Sequence, residues 1–135
     1  MAIKIYGRLS SANVQKINWF CEYANINVIN LNYGGIHGKT QTTEFKEMNP
    51  NSRVPVLDDN NFILYESNAI LRYLSKKFDI LVEEKKEISG KIDQWIDWGS
   101  FTFASPCSLL TAHKLSLPED QRDGLLTLIL EKEDS

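Results

Sequence analysis

The residues of this sequence that could do chemistry lie at the starts of two predicted helices. Ser67 directly precedes a helix predicted from about Asn68 to Lys77, and Ser11 precedes another that runs to about Ala24. The first turn of a helix carries free backbone N–H groups and a partial positive charge, so a carboxylate or another small anion can bind there beside a hydroxyl. Ser11 also has the ordinary interpretation of a helix N-cap, and the two interpretations are compatible.

The elements that hold these helix starts follow from the order of the apolar runs. A short strand containing Ile3 and Ile5 ends at Gly7, the helix after Ser11 follows, and residues 27–31 form a second strand. A strand, a helix and a strand in this order favour a parallel pair joined by a right-handed crossover.

A proline opens the next part of the predicted sheet. Pro55 follows the polar loop 49–53, lacks an N–H donor, and precedes the apolar pair Val56 and Leu57. Residues 58–61 have the composition of a turn and residues 62–65 that of a strand, which predicts a hairpin.

The segment between the second strand and this proline is predicted to be a loop at residues 32–43, with a short helix at 43–48. Three polar loop residues could reach a ligand, although exposed polar side chains in loops are usually just solvated. They are His37, Lys39 and Thr40.

The C-terminal part of the chain has a helical pattern. Apolar residues recur at intervals of three and four from Ile88 to Phe103, which predicts an amphipathic helix, and Ser116 begins a capping-box pattern that predicts a last helix. A charged stretch precedes them, so we place a domain boundary near Asp79. The predicted domains are residues 1–78 and 86–135.

Composition limits the classes of function. The chain has 135 residues and a net charge of -3, which gives no basic footprint for nucleic acid. No apolar run is long enough to span a membrane and no signal peptide precedes the first strand, so we expect no membrane partner and a cytoplasmic location. Cys21 and Cys107 form no Cys-x-x-Cys pair, which argues against a metal site and dithiol chemistry, and both are predicted to be small core residues.

Three segments in this order resemble the glutathione transferase family, and most of all its bacterial theta-like or nu-like type. They are Ser10–Lys16, Asn49–Leu57 and Glu66–Ile70. The resemblance covers residues 2–78 and continues more weakly through Ile92–Trp98. It implies an α/β fold, in which a thioredoxin-like domain with a mixed four-stranded sheet precedes a short all-helical segment.

The resemblance also implies a binding site for glutathione, as a co-substrate rather than a cofactor. Pro55 corresponds to the family's cis-proline, and Val54 before it is expected to pair its backbone with the cysteinyl backbone of glutathione. Glu66 is expected to bind the γ-glutamyl ammonium and Ser67 the γ-glutamyl carboxylate, in agreement with the anion site inferred above. Two further positions correspond to residues near the glycyl end: Arg53 and Thr40.

The implied chemistry is attack of the glutathione thiolate on a small electrophile. The thiolate is the nucleophile, but the pKa of the thiol in free glutathione lies above neutral. A hydroxyl from Ser11 or an amide from Asn13 would therefore activate the thiol by hydrogen bonding to its charged form. Ser11 stays neutral and does not attack. Tyr6 is a rival donor, but it lies within the first strand and is expected to pack there.

The length of the chain leaves two functions open, because family members continue for several more helices that wall the electrophile pocket. We expect a truncated C-terminal domain here. The first function is an enzyme, a glutathione transferase, and the alternative is a non-catalytic binding or dimerisation module. Apolar residues in the last predicted helix would favour a homodimer, since large apolar patches are uncommon on soluble monomers. They are Leu125, Leu126, Ile129 and Leu130.

Overall fold

The computed structural model of the chain describes residues 2–115, together with Pro118 and Gln121. The chain forms two compact units, Met1–Val82 and Glu83–Ser135. The division falls between residues 78 and 86, the predicted end of one domain and the predicted start of the next. The last predicted helix, after Ser116, lies outside the described residues together with its apolar side chains.

The first unit contains the predicted mixed four-stranded sheet, which is therefore confirmed. Its strand order is β2-β1-β3-β4, with β1 and β2 parallel and the other two pairings antiparallel. Ile5 of β1 lies opposite Leu57 of β3, which places two apolar residues at the middle of the sheet. The strands are β1 (Ile3–Tyr6), β2 (Val28–Leu31), β3 (Val56–Asp59) and β4 (Phe62–Tyr65).

The helices of this unit lie at their predicted positions in the chain. They are α1 (Ala12–Tyr23), the short α2 (Thr43–Met48) and α3 (Ser67–Phe78), with one 3-10 turn at Gly35–His37 in the predicted loop. The Thr42 hydroxyl caps α2 by accepting a hydrogen bond from Phe45 N–H at 3.3 Å. The helical spacing of Ile70, Tyr73, Leu74 and Phe78 predicts that they share the core-facing side of α3. Phe78 departs from this prediction with 39% of its surface exposed, because it is the last residue before the chain leaves the helix at Asp79.

The core of the first unit joins α1 and α3 to the central strands. Cys21 belongs to it, as predicted, and burial raises the pKa of its thiol to about 11. The thiol is thus neutral at physiological pH and acts as a small apolar side chain. The buried members of the core cluster are Ile3, Ile5, Val14, Ile17, Cys21, Leu57, Ile70 and Leu74.

The predicted turn at residues 58–61 is wrong in its first half, since Asp58 and Asp59 belong to β3 and are buried. Their carboxylates have partners elsewhere in the chain, which makes burial tolerable. Asp58 accepts a hydrogen bond from Lys4 at 3.2 Å across the β1–β3 pair. Only Asn60 and Asn61, both with positive φ, form the turn itself.

Asp59 is the most completely satisfied charge of this sheet. Its side chain is 2% exposed and accepts hydrogen bonds from the Tyr73 hydroxyl at 2.6 Å, from Lys77, and from the Asn60 amide at 2.9 Å. Burial alone would raise the pKa of Asp59, but the hydrogen bonds from Lys77 and Tyr73 outweigh it and lower that pKa below its usual value. The network ties the end of α3 to the end of β3.

Asp59→Asn is expected to destabilise the chain by about 1–2 kcal/mol at neutral pH, since it removes the charge on which these donors converge. A lowered folded-state pKa stabilises the fold fully above the unfolded-state pKa of about 4, and this stability is lost as the pH falls through the folded-state value. The thermal stability of the wild type should therefore fall below about pH 4. In the variant this part of the curve of stability against pH, the acid limb, should be flatter.

The control for this change is Glu47→Gln, which removes an exposed carboxylate on α2 and should leave the acid limb unchanged. An Asp59→Asn chain with the same acid limb as the wild type would contradict the role given to this network.

Aromatic side chains pack α2 toward the end of β1. Phe45 is fully buried and stacks on Tyr33, with ring centroids 5.3 Å apart. Tyr33 in turn meets Tyr6 edge to face at 5.1 Å. The phenol of Tyr6 is therefore part of a packed aromatic group, as expected for a residue inside the first strand.

The second unit is helical over its described part. The predicted helix from Ile88 to Phe103 is observed as α4 (Lys86–Trp98) and a π-helical turn (Gly99–Phe103), and α5 (Ala104–Leu115) follows directly. The prediction missed α5, whose sequence has no regular apolar stripe. Cys107 lies on α5 and is exposed, so its predicted core position is wrong. Among residues 2–115, no helix is long and apolar enough to cross a membrane.

Candidate functional site

Ser11 occupies the N-cap position of α1, but its hydroxyl does not cap the helix. Its backbone has an extended conformation, with φ -81° and ψ 122°, and its carbonyl accepts hydrogen bonds from Val14 and Gln15 at 3.0 and 2.9 Å. The side chain is half-buried and makes no hydrogen bond within the described part of the chain. The Ser11 hydroxyl is therefore available to a ligand.

Ser67 is the first residue of α3 and is buried, with 8% of its surface exposed. The chain enters this helix through Glu66, which has a positive φ of 70°. The helix's own hydrogen bonding begins when Ile70 N–H donates to the Glu66 carbonyl at 2.9 Å. The N–H groups before Ile70 are those that a helix leaves without internal acceptors.

Two hydrogen bonds join the start of α1 to the start of α3. The Ser67 hydroxyl donates to Asn13 Oδ1 at 3.2 Å, and Lys16 Nζ donates to Asn68 Oδ1 at 2.6 Å. Asn13 and Lys16 are three residues apart and therefore lie on the same side of α1. The sheet thus holds two helix N-termini, with their partial positive charges, next to each other.

Lys16 adds a cation to this junction. It is half-buried, and burial lowers the pKa of its ammonium group, while the nearby negative charge of Glu66 acts in the opposite direction. A cation and the exposed Glu66 carboxylate consequently flank the buried Ser67 hydroxyl. Sequence reasoning missed Lys16 as a site residue, although its spacing of three from Asn13 was a visible signal.

The loop that ends in Pro55 forms the third side of the site. The Val54–Pro55 peptide bond is cis, as expected, and Pro55 is buried while Val54 is half-buried. Asn49 organises the loop, because its side chain donates to the Arg53 carbonyl at 2.8 Å and accepts from Asn51 N–H at 3.0 Å. Asn49 was not predicted to have a role, and its burial in a polar loop could not be read from the sequence.

Gly7 brings this loop close to α1. A Cβ built on Gly7 would lie 2.5 Å from Val14 Cγ2 and 3.3 Å from Val54 Cβ, so no other residue fits there without movement. The absence of a side chain at Gly7 allows the end of β1, the first turn of α1 and Val54 to approach one another. The first turn of α1, through Val14, and Val54 therefore both lie close to Gly7.

The predicted site residues therefore fall into two groups. The contacts above bring together the start of α1, the Val54–Pro55 loop and the start of α3, which hold Ser11, Asn13, Val54, Pro55, Glu66 and Ser67. Thr40 is half-buried and Arg53 is exposed, and within the described residues neither side chain makes a hydrogen bond or ion pair with that group. No cluster of three or more His, Cys, Asp or Glu residues that could hold a metal occurs among residues 2–115.

A comparison with family models identifies the first unit. Residues 1–76 match the model described as glutathione S-transferase, N-terminal domain. The match covers more than half of the chain, so the chain belongs to the glutathione S-transferase family, and the predicted family is confirmed.

Individual relatives agree with this assignment. The chain is 30% identical to glutathione S-transferase GstB of Escherichia coli over 125 residues, which cover 90% of this chain and 60% of GstB. The theta class glutathione S-transferase of Xanthomonas axonopodis pv. citri, solved with glutathione bound, matches with a TM-score of 0.83 and 36% identity, covering 91% of this chain and 60% of that one. This chain thus spans less than two thirds of the length of either relative.

Proposed function

We propose that this chain binds glutathione and activates its thiol for attack on a small electrophile. The observation that carries the proposal is the hydrogen bond between Ser67 and Asn13, because it holds the N-termini of α1 and α3 side by side. One helix N-terminus then faces each of the two anionic groups that the reaction needs to bind, the thiolate and the γ-glutamyl carboxylate.

At the start of α1, the hydroxyl of Ser11 donates a hydrogen bond to the glutathione sulfur. A hydrogen bond to the charged form lowers the pKa of the bound thiol, so more of it is thiolate at neutral pH. Asn13 supports this arrangement, since its Oδ1 is held by Ser67 and its amide N–H₂ remains a donor. The sulfur then forms a bond to the electrophilic carbon, and the leaving group departs with its electron pair.

At the start of α3, the backbone N–H groups of Ser67 and its neighbours bind the γ-glutamyl carboxylate while Glu66 binds the ammonium group. The backbone of Val54 pairs with the cysteinyl residue, and Pro55 holds that backbone in place. Thr40 and Arg53 belong to the glycyl end in this proposal. The bound glutathione of the Xanthomonas relative supports the assignment of the ligand. The expected homodimer and cytoplasmic location stay predictions.

Ser67→Ala is expected to raise the dissociation constant of glutathione about tenfold, because it removes the hydrogen bond to Asn13 that holds the two helix N-termini side by side. Calorimetric titration of the full chain with glutathione measures this change. Ser89→Ala, on α4, is the matched control and should bind glutathione like the wild type.

Two results would count against the proposal. A wild-type chain that takes up no glutathione would reject it outright, and equal affinity in the Ser67→Ala chain would reject the role given to the Ser67–Asn13 hydrogen bond. Glutathione binding without turnover of any electrophile would instead support the alternative of a non-catalytic binding module.

A further inference from the structure

Arg8 runs beneath the two glycines that follow β2. Gly34 and Gly35 have φ values of +81° and +57°, a backbone region that favours glycine. A Cβ built on Gly35 would lie only 2.9 Å from Arg8 Cδ and 3.1 Å from Arg8 Nε. Gly35 therefore has a second role besides the turn, since it leaves room for the arginine side chain.

The guanidinium group of Arg8 and the side chain of Val54 both lie next to Gly34. A Cβ built on Gly34 would be 3.4 Å from Arg8 Nη1 and also 3.4 Å from both methyl groups of Val54. Because these atoms lie at the same short distance from one point, they border the same small volume. Arg8 also belongs to the turn that carries Ser11, where Ser11 N–H donates to the Arg8 carbonyl at 3.1 Å.

Among the described residues, this cation has no anionic partner. Lys4 and Lys77 pair with Asp58 and Asp59, but no hydrogen bond or ion pair to the Arg8 side chain exists among the described residues. Arg8 is nevertheless half-buried. A guanidinium group that is partly removed from water is costly unless an anion compensates it, and its planar fork fits a carboxylate.

We propose that Arg8 binds a carboxylate of the ligand that lies against Val54. This inference rests on the proposed glutathione site, which it extends by one charged contact. The carboxylate has two sources, the glycyl end of glutathione or an acidic second substrate attached at the sulfur. Both approach Val54, one along the peptide backbone and one from the thiol.

The test compares ligands that differ in one carboxylate, using calorimetry on the full chain and on Arg8→Gln. Glutathione and its glycyl monoethyl ester form the first pair, and S-(4-carboxybenzyl)glutathione and S-benzylglutathione form the second. In the wild type, within one of the pairs, the ligand with the extra carboxylate should bind about tenfold more tightly than its partner. Arg8→Gln should abolish this ratio of affinities, and Arg8→Lys should restore part of it.

The outcomes separate the two sources and the two proposals. Loss of the ratio in the first pair alone identifies the glycyl carboxylate, and loss in the second alone identifies an acidic electrophile. Arg8→Gln with both ratios unchanged, or with all four ligands weakened equally, overturns the inference but leaves the proposed function standing. A wild type that does not bind glutathione overturns both. Lys76→Gln, an exposed cation in the last turn of α3, is the matched loss of charge and should leave both ratios unchanged.

Discussion

Ser11→Ala is expected to lower the rate of glutathione conjugation about a hundredfold or more, with little change in glutathione affinity. Removal of one positioned donor to a reacting anion has effects of this size in other enzymes. The Ser11 hydroxyl makes no hydrogen bond within the described residues, so its loss should leave α1 intact. Turnover of a chloronitrobenzene substrate and calorimetry with glutathione measure the two quantities separately.

The pH dependence of the rate identifies the cause of this loss. If Ser11 stabilises the thiolate, the pKa of the bound thiol is higher in Ser11→Ala, and the rate recovers as the pH rises through that value. The control is Ser10→Ala, which removes the neighbouring exposed hydroxyl and should leave the profile unchanged. Ser11 and Asn13 replaced together without loss of turnover would refute the assigned chemistry.

The strands and helices that carry the site residues are well predicted from the sequence, because local patterns determine them. Alternating and helical apolar spacings define β1, α1 and α3, and the residues at the helix starts follow directly. The resemblance adds the cis-proline at Pro55 and the family, which the comparison with known proteins confirms.

The cross-helix contacts could not be predicted, because they depend on residues far apart in the chain. Asn13 and Ser67 are separated by 54 positions, and nothing in their types indicates that they meet. The approach of the Arg8 side chain to Gly35 could not be predicted for the same reason, because the two residues are far apart in the sequence. In the sequence, Gly34 and Gly35 indicate only a loop, whereas the structure shows which side chain needs the space above them.

Buried polar residues account for the wrong predictions within the sheet. Asp58 and Asp59 have the composition of a turn, but donors such as Lys4, Lys77 and Tyr73 make their burial in a strand favourable. Cys107 shows the reverse error. A cysteine favours the interior on average, but α5 has no regular apolar stripe that would indicate which of its faces is covered.

Phe45→Ala is expected to destabilise the first unit by about 3–5 kcal/mol, the usual cost of removing a fully buried aromatic side chain. The substitution would also remove the stacking partner of Tyr33, which directly precedes Gly34 and Gly35. Glutathione affinity should therefore fall in this variant even under conditions where it is folded, because the two glycines would lose their fixed position over Arg8. Urea unfolding followed by circular dichroism gives the stability, and calorimetry gives the affinity.

Trp19→Ala removes a larger aromatic side chain that is 77% exposed on α1, and it should change stability by only about 0.5 kcal/mol. Equal losses in the two variants would show that α2 is not held by this aromatic packing.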